Sequence, residues 1–115
     1  MKLSTMTNLY YKNTPDQMGL INSIRKTAEA GFKTMDLCLC PMQRGEMELC
    51  ADNWESIVYD IGNETAKLGV ELSQSHLSYP KPNSRRKSPF DPGCEQNEYF
   101  VKMLDRTVKI SSMLG

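Results

Sequence analysis

The side chains best placed for chemistry are the single histidine, His76, and an acidic residue, Asp36. Imidazole titrates near neutrality, so His76 can bind a metal, move a proton or hold a substrate hydroxyl. A carboxylate such as Asp36 can bind a sugar hydroxyl or contribute to a metal environment. Each also has a plain structural alternative: a hydrogen-bonded strand end for His76, an ion pair for Asp36. Four cysteines stand at Cys38, Cys40, Cys50 and Cys94. The C-x-C pair lacks a second pair at ligand spacing, so free, buried thiols are expected rather than a zinc site. Ser84-Arg85-Arg86-Lys87-Ser88 is a basic run that suits either a phosphate or a solvated segment. The chain has no glycine-rich phosphate loop, G-x-S-x-G elbow or H-E-x-x-H helix.

These residues need elements to position them. Strand patterns cover residues 2–7, 33–39 and 70–77. Between them, helical stretches end at Gly31 and Gly69, and a third ends at Gly115. The first helix has a start signal in Thr14-Pro15-Asp16-Gln17 and an apolar stripe of Ile21, Ile24 and Ala28. The second starts with Asp52-Asn53-Trp54-Glu55, with Asp52 as its cap. It carries Trp54, Ile57, Val58, Ile61 and Leu68 on one face, with Gly62 inside it. The third spans residues 97–114, with Phe100, Leu104, Val108 and 111–114 turned inward. In the second strand Met35, Leu37 and Leu39 share one face, and Thr34, Asp36 and Cys38 share the other. Helices over the first set leave Asp36 on the far face. The third strand is polar at Glu71, Ser73, Gln74 and Ser75, and a long proline-containing connection follows it.

Strands every 30 to 40 residues are the period of βα units in a parallel sheet. The expected fold class is α/β: three βα units in sequential order, helices on one face, as part of a (β/α)₈ barrel. Residues 1–115 form one domain segment. The rhythm ends on a helix cap, which reads as an interrupted fold. Such folds place their chemistry at strand C-terminal ends.

Charged residues are 24% of the chain and hydrophobic ones 39%, as in a folded globular protein. Formal net charge is zero, which favours neither nucleic acid nor a membrane surface as partner. No apolar run reaches the roughly 20 residues that span a bilayer, and no signal peptide is evident. A cytoplasmic location without disulfides is the expectation.

Two segments resemble a known family. Ala30-Gly31-Phe32-Lys33-Thr34-Met35-Asp36-Leu37 is similar to the A-G-F-x-x-[IV]-E-[IL] second strand of the xylose-isomerase-like barrels. Ala66-Lys67-Leu68-Gly69-Val70-Glu71-Leu72-Ser73-Gln74-Ser75-His76 is similar to their A-x-x-G-[IL]-x-[IL]-x-x-x-H third strand. That family includes sugar phosphate isomerases and epimerases, hydroxypyruvate-isomerase-like enzymes and type-IV apurinic endonucleases. The resemblance implies a barrel with a divalent metal (Mn, Mg or Zn) held by carboxylates and histidines. It puts the family's acidic position on Asp36, where glutamate is common, and its histidine on His76. In the endonuclease branch that histidine ligates metal; in sugar isomerases it lies beside the substrate.

A full barrel takes about 250 residues. The main metal ligands and the acid/base pair of the family come from later strands, so no catalytic or metal residue is placed here. The expected function is therefore the N-terminal segment of a sugar phosphate isomerase or epimerase. Asp36 and His76 would bind the sugar or sugar phosphate, and the segment would have no turnover by itself. The alternatives are an apurinic-endonuclease-like barrel and a non-catalytic α/β module that self-associates through its open sheet edges.

Overall fold

The computed structural model describes residues 3–11, 13–14, 17–45, 47–77, 91, 93 and 95–115, with the backbone alone at 13–14, 17–18 and 44. The basic run, Cys94, Pro15 and Asp16 lie outside the described residues. So does nearly all of the connection from the third βα strand to the last helix.

Three strands form a parallel sheet in sequential order: β1 (Ser4–Met6), β4 (Thr34–Cys38) and β5 (Glu71–His76). β2 (Asn13–Thr14) and β3 (Gln17–Met18) make a short antiparallel pair after β1. The helices are α1 (Gly19–Glu29), α2 (Trp54–Leu68) and α3 (Asn97–Leu114). The architecture is α/β, as the strand and helix rhythm predicts.

One core holds the structure. Met35, Leu37 and Leu39 from β4 and its exit meet Leu20, Ile24 and Ala28 of α1. Val58 and Ile61 of α2 and Met103 and Ile110 of α3 join the same cluster. All three helices therefore cover the Met35–Leu37 side of the sheet. The opposite side carries Ser4, Asp36, Ser73, Gln74 and His76. The end of β1 is tied to its neighbours by buried polar bonds. Thr7 N donates to Asp36 O (3.0 Å), Cys38 N donates to Thr7 Oγ1 (3.0 Å), and Ser23 Oγ donates to Thr7 O (2.6 Å).

Gly31 and Gly69 end α1 and α2 with positive φ, and their strands follow within a few residues. Other local expectations need correction. α1 begins at Gly19, not near Pro15, and Gln17 belongs to β3. Its first turn is capped from a distance: Leu20 N donates to Glu48 Oε1 (2.7 Å), and Tyr11 donates its hydroxyl to Glu48 Oε2 (3.1 Å). Gly19 has φ +54°, and a β-carbon there would lie 2.7 Å from the Glu48 carboxylate. Sequence-local capping loses to this tertiary side chain, whose oxygens accept at the positive end of the helix dipole.

At α2 the cap position is Asn53, not Asp52, and the Asn53 side chain makes no capping hydrogen bond. Gly62 sits where α2 meets α3; a β-carbon there would be 3.5 Å from Leu114. On α3 the buried residues are Phe100, Met103, Arg106, Thr107 and Ile110, whereas Val108 is 53% exposed. Its inner face is therefore rotated relative to the expected Leu104–Val108 stripe. Both sets satisfy helical spacing, and the packing of α3 on α2 and the 40–50 connection selects the first. That connection contains two 3₁₀ turns, Cys40–Arg44 and Glu48–Cys50, and buries Met42, Met47 and Leu49. Arg106 Nη1 donates to Leu49 O (3.1 Å), Cys50 O (2.8 Å) and Ala51 O (3.2 Å), and its guanidinium lies over the Trp54 ring. Trp54 thus packs helix to helix as well as onto the core.

Candidate functional site

The face of the sheet that no described helix covers, the uncovered face among the described residues, gathers its polar groups around Asp36. Oδ1 accepts from Ser4 Oγ (3.2 Å) and Ser73 Oγ (3.0 Å); Oδ2 accepts from Gln74 Nε2 (2.8 Å). His76 Nε2 lies 3.6 Å from Oδ2. That distance is too long for a hydrogen bond and makes a charge contact when the imidazole is protonated. The Asp36 side chain is 19% exposed and that of His76 is 45% exposed, so a solute can reach both. The Gln74 amide, then Ser73, His76 and Ser4, hold the Asp36 carboxyl below its usual range against the opposing effect of desolvation. Asp36 is therefore an anion at neutral pH, held in place and aimed away from the helices.

An irregularity in β5 makes this grouping. Met35 pairs with Leu72, but Asp36 pairs with Gln74, so Ser73 and Gln74 together oppose one residue. Strict alternation would put His76 on the same face as Leu72, toward the helices. The bulge restores it to the Asp36 side. Leu72 and Ser75 are half-buried, while Ser73, Gln74 and His76 are exposed. Ser75 turns to the helices, where the Ser75 and Ser111 hydroxyls hydrogen-bond at 2.8 Å. The polar composition of β5 follows from its place: among the described residues it is an edge strand with one uncovered face, and such a strand has little apolar surface to hide.

Asp36 and His76, the two residues singled out from sequence, are therefore brought together. Ser4, Ser73 and Gln74 were missed. The only sequence trace of them was the polar Ser73-Gln74 pair interrupting alternation between Leu72 and Ser75. Nothing in the sequence linked Ser4 to Asp36.

The cysteines divide. Cys38 is buried and Cys40 is exposed, which corrects the expectation of buried thiols throughout; Cys50 is intermediate, and all three are free. Among the described residues no three His, Cys, Asp or Glu side chains are grouped to hold a metal ion. The Asp36 oxygens already face hydroxyl and amide donors, and His76 is the single imidazole. This donor set does not fit a metal by itself. Among the described residues no helix is long and apolar enough to cross a membrane.

No protein-family model, curated protein or solved structure matches the chain.

Proposed function

We propose that residues 1–115 are a βα segment of a sugar phosphate isomerase or epimerase of the xylose-isomerase-like (β/α)₈ barrel type. The uncovered sheet face would line the barrel interior. The observation that carries this reading is the Asp36–His76 pair on the uncovered face, with His76 at the C-terminal end of its strand. Sequential parallel strands with helices on one side are the geometry of a barrel wall, and barrels work at that end.

A sugar hydroxyl can donate to the Asp36 carboxylate while His76 donates to, or accepts from, a neighbouring oxygen. Ser73 and Gln74 position the carboxylate, so it is preorganised to receive a donor. Asp36 and His76 are substrate-binding residues here, not an acid/base pair for the proton transfer. A divalent metal would need ligands other than Asp36 and His76.

The experiment is an NMR titration of the protein with a panel of pentose and hexose phosphates, following the His76 imidazole. A saturable shift with at least one of them, lost in Asp36→Asn, is expected. No shift with any member of the panel overturns the binding role. The 115-residue chain alone should show no isomerase turnover, and metal-dependent turnover by it would overturn the reading of an incomplete site. Where the full barrel is available, His76→Ala should lower kcat/KM far more than it lowers Tm. Unchanged kinetics with a lowered Tm would reduce His76 to a structural residue.

A further inference from the structure

Resting on the sugar phosphate reading of this site, we propose that Asp36 and His76 grip one and the same hydroxyl of the sugar, and that this hydroxyl stands on a carbon outside the reacting ones. A carboxylate offers about four acceptor positions, shared equally by its two oxygens. Oδ1 of Asp36 accepts from Ser4 Oγ at 3.2 Å and from Ser73 Oγ at 3.0 Å, so the strands on either side engage it fully. Oδ2 accepts from Gln74 Nε2 at 2.8 Å and has room for one more donor. The carboxylate therefore takes a single hydroxyl and does not clamp a vicinal diol through both oxygens.

The position of His76 decides what that hydroxyl must do. Its Nε2 lies 3.6 Å from the same Oδ2, too far for a direct bond. An oxygen at hydrogen-bond distance from both atoms, about 2.7–3.0 Å, closes a triangle on that edge. Such an oxygen donates its hydrogen to Oδ2 and accepts a hydrogen bond from Nε2–H, the tautomer that a facing carboxylate favours. The backbone that carries the imidazole is held, because Cys38 pairs with His76 in the parallel ladder and Leu39 N donates to His76 O at 3.0 Å. Both side chains keep surface that a ligand oxygen can reach.

A hydroxyl meets both demands. A carbonyl or ether oxygen only accepts, and it would face the carboxylate with no hydrogen to give. Sugar isomerisation exchanges a hydroxyl and a carbonyl between adjacent carbons, so the oxygen on either reacting carbon is a carbonyl oxygen in one of the two partners. Epimerisation moves the hydroxyl of the reacting carbon to its opposite side. A hydroxyl gripped in the same way in substrate and product therefore belongs to another carbon. Asp36 and His76 then choose the sugar by the presence and configuration of that one hydroxyl, and the proton transfer falls to other groups.

The test takes the tightest-binding member of a pentose and hexose phosphate panel and its monodeoxy and monodeoxyfluoro analogues, one hydroxyl at a time. Binding to the 115-residue chain is followed by the amide NMR shifts of β5. At one hydroxyl, off the reacting carbons, both replacements should weaken binding about tenfold or more, as for a lost hydrogen bond to a charged group. His76→Phe should weaken binding of the parent sugar but bind that deoxy analogue as the wild type does, because both contacts vanish with one oxygen. A His76→Phe chain that binds the deoxy analogue more weakly than the wild type puts His76 on a second oxygen; it overturns the proposal and leaves the sugar phosphate reading standing. So does sensitivity confined to a reacting carbon. A fluoro analogue that binds like the parent also overturns it, since fluorine has no hydrogen to give, and this outcome needs only the wild type should His76→Phe fail to fold. No binding by any member of the panel overturns the proposal and the sugar phosphate reading together.

Discussion

On one face of the sheet, Met35 and Leu37 are closed over by three helices; on the other, Asp36 and His76 stand open to solvent, one residue out of phase. The two faces share the same strands and backbone hydrogen bonds. They differ in what each side chain would lose on exposure. Apolar groups on the covered face gain from leaving water, while the uncovered face keeps a charged carboxylate that burial without partners would penalise heavily. The covered face thus holds the fold, and the other face carries the polar cluster around Asp36.

That separation can be broken from the covered side first. Leu37→Ala should destabilise the protein by about 2–5 kcal/mol, since Leu37 is almost wholly buried in the common core. A lower urea midpoint with an unchanged slope is the expected record. Gly19→Ala should cost more than about 1 kcal/mol, because the new β-carbon meets the Glu48 carboxylate in a backbone region that disfavours side chains. Its loss should appear as faster amide exchange in the first turn of α1. Ser75→Ala, which removes a hydroxyl bond to α3 on the covered face, should cost about 1 kcal/mol or less by thermal unfolding.

On the uncovered face the effects should be chemical before they are structural. The folded Asp36 carboxyl ionises below its usual value of about 3.9, so its contribution to stability is complete above that pH and is lost as pH falls through the lower folded value. The difference in urea midpoint between the wild type and Asp36→Asn should therefore shrink on acidification. A difference that is constant from neutral pH down to the acid limb would contradict the hydrogen-bonded carboxylate. Gln74→Ala should have the smallest effect on stability. It removes the strongest of the groups that lower the Asp36 carboxyl, so carbon NMR should show that carboxyl titrating at higher pH. An unmoved titration would mean that Gln74 does not hold the carboxylate in solution.

The strand positions, their parallel order and the helix stops were legible because they rest on local physics. Apolar spacing, glycine at positive φ and the repeat of βα units need no knowledge of distant residues. The orientation of Asp36 was legible for the same reason, since alternation in β4 is regular. The bulge at Ser73-Gln74 was not, because it depends on how β5 registers against β4, and parity counted from Leu72 puts His76 on the wrong face. The start of α1 was decided by Glu48, which reaches Leu20 across 28 positions of sequence. The inner face of α3 was decided by what it packs against. Sequence thus determined the three strands and three helices of the βα rhythm, but not the β2–β3 pair or the 3₁₀ turns, and it marked Asp36 and His76 as the polar residues at the strand ends. Tertiary structure decided which of those residues meet, because register, remote caps and helix rotation are settled by contacts between segments far apart in the chain.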